Sequence, residues 1–377
     1  MKIGILTHYY RSANYGGNLQ AYALCKVLEE MGHQPQQVQI DHSAHYQNLL
    51  SPQTRGFKHK LKQLAKPVVR LLLPKYRKKW QQEEAARQQL QEKFSHFNRE
   101  LIPHSQTVYT PNTIRRAIFD YDAFITGSDQ VWNPIWYFPP FFLDFVPSVM
   151  PKLSYAASIG QSQLPAAIRQ RYQAHLKDFI GVSVREEDAV TLLGGNAQWV
   201  LDPTMLLTKA QWLEVAEPST IEAPYVFCYF LGNDLEMRNA AAAYAKAKGL
   251  TLVTIPNATG LRHSNDENFG DLRLPDPSPE AFLGLIEKAE FVFTDSFHAT
   301  VFSLIFGRTF ATFPREGHGS SRITTLLQLF DAQNHFSPVC LEQLSPVCYD
   351  APAFHQALQH SRDYLQTTLE KAKEMLP

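Results

Sequence analysis

Short apolar runs alternate with longer amphipathic stretches along most of the chain. Residues 2–7 (KIGILT) read as a strand. Leu19, Tyr22, Ala23, Val27, Leu28 and Met31 then recur at helical spacing, and Gly32 supplies a stop. Residues 38–41 read as a second strand, so the chain opens on a βαβ unit. Its turn, Asn14-Tyr15-Gly16-Gly17-Asn18, would sit at the ligand edge of the sheet. That turn is neither GxGxxG nor a Walker loop, so it is a weak dinucleotide signal. After residues 43–100 the alternation resumes, with strands over 121–126 and 181–184 and helices near 164–178 and from Arg185. Residues 206–223 read as a linker with a short helix. A second series follows, with strands over 225–232, 250–255, 290–293 and 309–313 and helices near 234–248, 278–289, 301–307 and 323–330. Residues 351–374 form a terminal amphipathic helix through Phe354, Leu358, Tyr364, Leu365 and Leu369.

Two such series predict an α/β protein of two Rossmann-like domains facing across a cleft. The expected division is 1–205, then 206–350 carrying His298, then a helix over 351–377 packing back on the boundary. A chain of 377 residues also exceeds the size at which one core keeps growing.

Residues 43–100 change this picture. No acidic residue occurs from His42 through Gln82, whereas residues 55–79 hold ten Lys and Arg. Leu61, Leu64, Val68 and Leu71 are interleaved at helical spacing, and Pro67 and Pro74 interrupt any single helix. Two readings stand: a solvated helical excursion, or a basic surface making peripheral contact with an anionic membrane and a lipid-linked substrate.

Composition adds exclusions. Hydrophobic content of 44% and charged content of 19% suit a globular protein. Net charge is zero, so nothing in the overall field points to nucleic acid. The start reads as a strand, not a signal peptide, and no apolar run reaches the roughly 18–20 residues that span a bilayer. Cys25, Cys228, Cys340 and Cys348 contain no CxxC and read as reduced thiols of a cytoplasmic protein. No His/Cys spacing suggests a metal site.

The densest chemistry lies in Thr294-Asp295-Ser296-Phe297-His298-Ala299-Thr300, between a buried strand and a buried helix. Ligands bind at that edge of open α/β sheets, and a helix N-terminus favours an anion. His298 is suited to moving a proton near neutral pH. The plainer reading is a capped helix with a core histidine.

At this point five motifs coincide with a family. Residues 14–21 (NYGGNLQA), 127–133 (GSDQVWN), 183–186 (SVRE), 201–204 (LDPT) and 294–298 (TDSFH) together resemble the polysaccharide pyruvyl transferase family, over roughly residues 1–335. The resemblance implies a two-domain fold like that of GT-B glycosyltransferases. It implies transfer of a carboxyethylidene group from phosphoenolpyruvate to two hydroxyls of one sugar, with release of phosphate and no cofactor. Many members carry Gly-x-Arg-Leu-His at the last motif. Here Ser296 and Phe297 replace the arginine and leucine, and Arg322 is the candidate for the missing cation.

Ketal formation requires an acid for the methylene carbon and a cradle for carboxylate and phosphate, which arginine matches in bidentate geometry. These needs, and the positions of the residues at the ligand edge, assign His298 and Arg185 to catalysis, and Arg185, Arg322, Asp295, Ser296 and His318 to the donor. Asn14, Gly16, Gly17, Gln20, Asp129, Trp132 and Asp144 fall to the saccharide acceptor, with Trp132 as a stacking face and the donor phosphate as the alternative ligand of the first four. Each has a plainer alternative: a salt bridge for Arg185, a cap or turn for the glycines, a core role for Trp132. Asp202, before Pro203, reads as shaping a domain exit. Two other functions remain open at this stage, a glycosyltransferase using a nucleotide sugar and a non-catalytic saccharide-binding protein.

Overall fold

Two parallel sheets divide the chain in a computed structural model that describes residues 1–43, 45, 92–256, 263–275, 277–315 and 321–376. The first is built on β1 (Lys2–Leu6), whose last four residues are buried. α1 (Tyr15–Glu30) leads from it to β2 (Gln34–Gln37). β3 (Ala123–Thr126) and β4 (Lys152–Ser154) complete the order β2-β1-β3-β4, every pair parallel. α2 (Ala166–Leu176) then leads to β5 (Ser183–Val184), α3 (Glu187–Leu192) to β6 (Gln198–Trp199). Bridges from Leu153 to Gly181 and from Ala157 to Val184 join this short pair to the β4 edge.

α4 (Lys209–Leu213) lies in the connection, held by a capping box between Thr208 and Gln211. The second sheet follows: β7 (Tyr225–Tyr229), α5 (Leu235–Lys248), β8 (Thr251–Thr254), β9 (Leu272–Arg273), α6 (Pro279–Lys288), β10 (Phe291–Thr294), α7 (Phe297–Phe306), β11 (Thr309–Thr312). Its order is β11-β10-β7-β8-β9, again all parallel. β7 and β10 are buried throughout, as expected of strands covered on both faces by helices. α8 (Ser321–Gln328) and the terminal α9 (Pro352–Glu374) follow.

The helix boundaries have local causes. Asn14 caps α1, Asp234 caps α5, Ser278 caps α6 ahead of Pro279, and Ser296 caps α7. Gly249 and Gly307 end α5 and α7 in the left-handed region, where a side chain would be strained.

α1 is the hinge of the packing. Tyr15 through Cys25 are all buried, and the Tyr15 ring stacks on Phe282 of α6 at 4.3 Å. Trp212 of α4 lies between Tyr22 of α1 and Phe302 of α7. One apolar core therefore runs from Ile3 and Ile5 to Phe302 and Phe310, crossing between the two sheets. α9 returns to the first half, where Tyr364 Oη donates to the Ser154 carbonyl at 2.9 Å and Ser361 Oγ accepts from Leu201 N at 2.9 Å. Its Phe354 meets Phe330 of the second half at 5.2 Å.

Two expectations are corrected. The second strand is Gln34–Gln37 rather than 38–41; beyond it Ile40 makes only an isolated bridge to Tyr109. β2 is an edge strand held by backbone bonds to β1, so its polar side chains carry no apolar signal. Gly16 and Gly17 are not a turn but the second and third residues of α1. Residues 55–79 lie outside the described residues. Among the described residues, no helix is long and apolar enough to cross a membrane.

Candidate functional site

The carboxyl ends of β1, β3, β7 and β10 converge on a cleft of about 1010 Å³. From the second half, Leu231–Asp234, Asp295, Ser296, Phe297, His298 and Arg315 line it, with Arg322 of α8. From the first come His8, Ser12, Asn14, Asp129, Gln130 and Trp136.

The turn between β10 and α7 is tightly built. Asp295 accepts the backbone N–H groups of Leu231 and Gly232 at 2.6 and 2.7 Å, tying this turn to the end of β7. Ser296 Oγ accepts from Ala299 N, and Thr294 Oγ1 accepts from Ser296 N. Both residues placed at the donor by sequence are thus at the cleft wall, with their oxygens engaged in shaping it. Burial raises the Asp295 carboxyl above its ordinary range in spite of those two N–H groups.

His298, in the first turn of α7, reaches across to the first half. Its Nε2 is buried and lies 3.5 Å from Asp202 Oδ2, an electrostatic contact rather than an aligned hydrogen bond. Nδ1 lies directly over Gly16: a Cβ built on that glycine would sit 1.9 Å from it. Only a residue without a side chain leaves room for the imidazole there. Gly17 is constrained too, because its Cβ would come within 2.6 Å of the His8 carbonyl oxygen.

Asp202 is the centre of the network beneath the histidine. Oδ2 accepts from Ser128 Oγ at 2.9 Å and Arg185 Nη1 at 2.7 Å. Oδ1 accepts from the Thr204 N–H at 3.0 Å and its hydroxyl at 2.7 Å. Burial alone would raise this carboxyl, but His298 and Arg185 outweigh it and hold the group far below the usual range. Asp202 therefore supports the site from behind His298 as well as shaping the exit from β6.

Arg185 is placed differently from the sequence expectation. It does not line the cleft. Its side chain is 2% exposed, paired with Asp202 and, at 3.5 Å, with Asp129. The Phe297 ring covers the guanidinium at 4.7 Å. Burial opposes its charge, yet Asp202, Glu186 and Asp129 together raise its affinity for the proton. The two carboxylates absorb the charge that a ligand would otherwise meet.

Asp129 does line the cleft, from a left-handed backbone with φ of 64°. Such a conformation costs of order 1 kcal/mol or more for a side-chain-bearing residue and marks a position fixed by its surroundings. Burial pushes its carboxyl up, while Arg185, His298, His8 and Arg322 pull harder and hold it low.

Arg322 lines the cleft from α8, and its nearest carboxylate is Glu186 at 3.9 Å. Glu186 is already occupied by the Ser158 hydroxyl and the Ile159 N–H. Burial, then the nearby Arg185, lower the Arg322 pKa to about 10.

The remaining expected residues separate. Asn14 caps α1 at the cleft rim. Trp132 is fully buried, stacked on Phe142 at 5.5 Å, with its indole N–H on the Phe141 carbonyl. It is a core residue; Trp136, four positions on, lines the cleft instead. Gln20 is also buried, donating to Thr7 Oγ1 and the Gly17 carbonyl below the floor. Asp144 is exposed and away from the cleft, beside His175 and Lys152. His318 lies outside the described residues.

Sequence reading also passed over His8, Trp136 and Arg315. His8 follows β1 at the sheet's ligand edge, a position that by itself marks a candidate. Burial lowers its pKa, against the pull of Asp129. Arg315 follows β11 at the equivalent edge of the second sheet.

Two parallel sheets facing one cleft, with a helix N-terminus from one half closing on a carboxylate of the other, define a GT-B-like protein. The chain is similar to the S. aureus MnaA–UDP co-structure, with TM-score 0.52 and 12% identity over 97% of this chain and 96% of that one. It is similar in the same way to UDP-N-acetylglucosamine 2-epimerase from Rickettsia bellii, with TM-score 0.50 and 9% identity over 99% and 97%. At these identities the likeness concerns the fold. No curated protein matches the chain. The model of the polysaccharide pyruvyl transferase family matches residues 14–317, and the chain belongs to that family.

Proposed function

We propose that the protein transfers the carboxyethylidene group of phosphoenolpyruvate to two hydroxyls of a saccharide, closing a cyclic ketal and releasing phosphate. The carrying observation is the seat of His298, with Nε2 against Asp202 and Nδ1 beside Gly16. With Nε2 turned into the protein, Nδ1 is the ring nitrogen left to exchange a proton at the cleft. Asp202 lies behind the ring and fixes its orientation, as a buried carboxylate does behind a catalytic histidine.

In this reading His298 gives a proton to the methylene carbon of the donor. One sugar hydroxyl adds to the resulting cationic carbon, and its proton returns to His298. Phosphate then leaves, the second hydroxyl closes the ring, and its proton ends on phosphate. Proton transfer to carbon is the step that needs a positioned acid, and such groups contribute ~10²–10⁴-fold.

The family membership supports transfer chemistry on a saccharide; the donor and acceptor are part of the proposal. The test is acceptor-dependent phosphate release from phosphoenolpyruvate with a panel of glycans, in wild type and His298→Ala. The expected result is release in wild type that falls ~10²-fold or more in the variant. A product formed only with a nucleotide sugar would place the protein with the glycosyltransferases. Saturable glycan binding without turnover of either donor would make it a binding protein.

A further inference from the structure

Two arginines line the cleft and a third is buried behind its wall. Arg185 is ion-paired with Asp202 and Asp129 and covered by Phe297, and its Nε and Nη2, which donate no hydrogen bond among the described residues, are buried away from the cleft. Arg315 and Arg322 line the open cleft, and Arg322 Nε stands 3.9 Å from Glu186 Oε1, an ion pair beyond hydrogen-bond reach. Arg315 Nε is buried without a partner. The carboxylates near them are committed: Asp295 to two backbone N–H groups, Glu186 to Ser158 and Ile159, and Asp129 to the Arg185 guanidinium. A guanidinium with unmet donors in a concave site is a position for an oxyanion, because burying such donors unpaired is costly.

We propose that Arg315 and Arg322 form the anion subsite that receives the donor's phosphate, and that Arg185 is a positioning residue acting through Asp129 and Asp202. This rests on the phosphoenolpyruvate reading for the identity of the donor, but the anion subsite stands on its own geometry. Arg315 comes from the loop after β11 and Arg322 from the first turn of α8, so one dianion with three terminal oxygens bridges both. Ser296, in the place of the arginine that many family members carry, contributes only a helix cap. The cation lost there is regained from the neighbouring strand edge. Burial lowers the proton affinity of both Arg315 and Arg322, in keeping with charges that lack a full counterpart.

The assignment separates three substitutions. Inorganic phosphate is titrated into the full-length protein by calorimetry, with acetate as a carboxylate control. Wild type should bind phosphate, and phosphoenolpyruvate should compete for the site. Arg315→Gln and Arg322→Gln should each weaken phosphate binding by about 10-fold or more, the scale of one charge-assisted hydrogen bond. Arg185→Lys should leave phosphate binding within a few-fold and instead lower kcat, with its pH profile displaced, because it disturbs Asp202. Arg315 is partly exposed in a loop, so its replacement should not unfold the chain, and a far-ultraviolet spectrum checks this. Unchanged phosphate binding in both glutamine variants would overturn the subsite, as would loss of binding confined to Arg185→Lys. Phosphate bound through Arg315 and Arg322 in a protein that does not turn over phosphoenolpyruvate would leave the subsite standing and remove the donor. Acetate competing as well as phosphate would assign the pair to a carboxylate and contradict the proposal.

Discussion

His298 Nε2 lies 3.5 Å from Asp202 Oδ2, so an imidazole carried by the second half is held by a carboxylate at the end of the first. Asp202 is itself pinned by Ser128, Arg185 and Thr204. The site is assembled only when the two sheets stand in this relation, and the shared apolar core between α1, α6 and α7 keeps them there.

Asp202→Asn keeps the oxygen for Thr204 but removes the charge behind His298. The expected outcome is a kcat lower by ~10²-fold or more, with the donor KM changed little. The variant also loses stability, by about 3–5 kcal/mol, because Arg185 is left buried with one partner fewer. A kcat within a few-fold of wild type would separate Asp202 from the histidine.

Gly16→Ala should reduce activity as severely as removal of His298, since the new methyl would fall 1.9 Å from Nδ1. Overpacking of this kind typically destabilises by about 1–3 kcal/mol. The double variant Gly16→Ala/His298→Ala should recover most of that stability, because the clash has gone. Additive losses in thermal unfolding of the two single variants and the double would show that the alanine is resisted by something else.

Acid should destabilise the first half before it affects its carboxylates. Burial lowers the His42 pKa from 6.5 to about 4, helped by His8 and opposed by Asp41. His8 is shifted in the same direction. The unfolded chain takes up these protons below about 6.5 and the folded protein does not. Stability is therefore fully present above that pH and declines as pH falls toward 4. His42→Phe, placed among Phe138 and Phe141, should flatten this decline in a melting series across that window. An equal slope in variant and wild type would assign the proton uptake elsewhere.

Residues 55–79 carry ten basic residues and no acidic one. We propose that they make a salt-sensitive peripheral contact with anionic membrane, where a lipid-linked acceptor would lie. Each basic residue near such a surface contributes ~1 kcal/mol, screened within a Debye length. Co-sedimentation should be stronger with anionic than with neutral vesicles and should decline with salt. Equal, negligible binding to both at low salt would leave the stretch as a solvated excursion.

Much of this architecture was legible from periodicity. Buried parallel strands such as β7 and β10 are continuous apolar runs, and α7 and α5 end at glycines in the left-handed region. The edge strand β2 was hidden because Gln34-Pro35-Gln36-Gln37 pairs through its backbone and shows no apolar pattern. Gly16 looked like part of a turn, whereas its need for no side chain comes from His298, far away in the chain. Local sequence cannot show such a contact. The same holds for Arg185 and Arg315. Both follow strands, and only the placement of Asp202, Asp129 and Phe297 turns one inward and leaves the other at the cleft. Trp132 and Trp136 differ by four positions, and the fold alone decides which one is core.

The central claim is tested most directly by mass spectrometry of glycans incubated with the protein and phosphoenolpyruvate. The account predicts a product that has gained one carboxyethylidene group on two hydroxyls of a single sugar, with one phosphate released for each group added. His298→Ala should give neither. Glycans that remain unmodified across the panel while phosphoenolpyruvate stays intact, or the same product formed at full rate by His298→Ala, would contradict it.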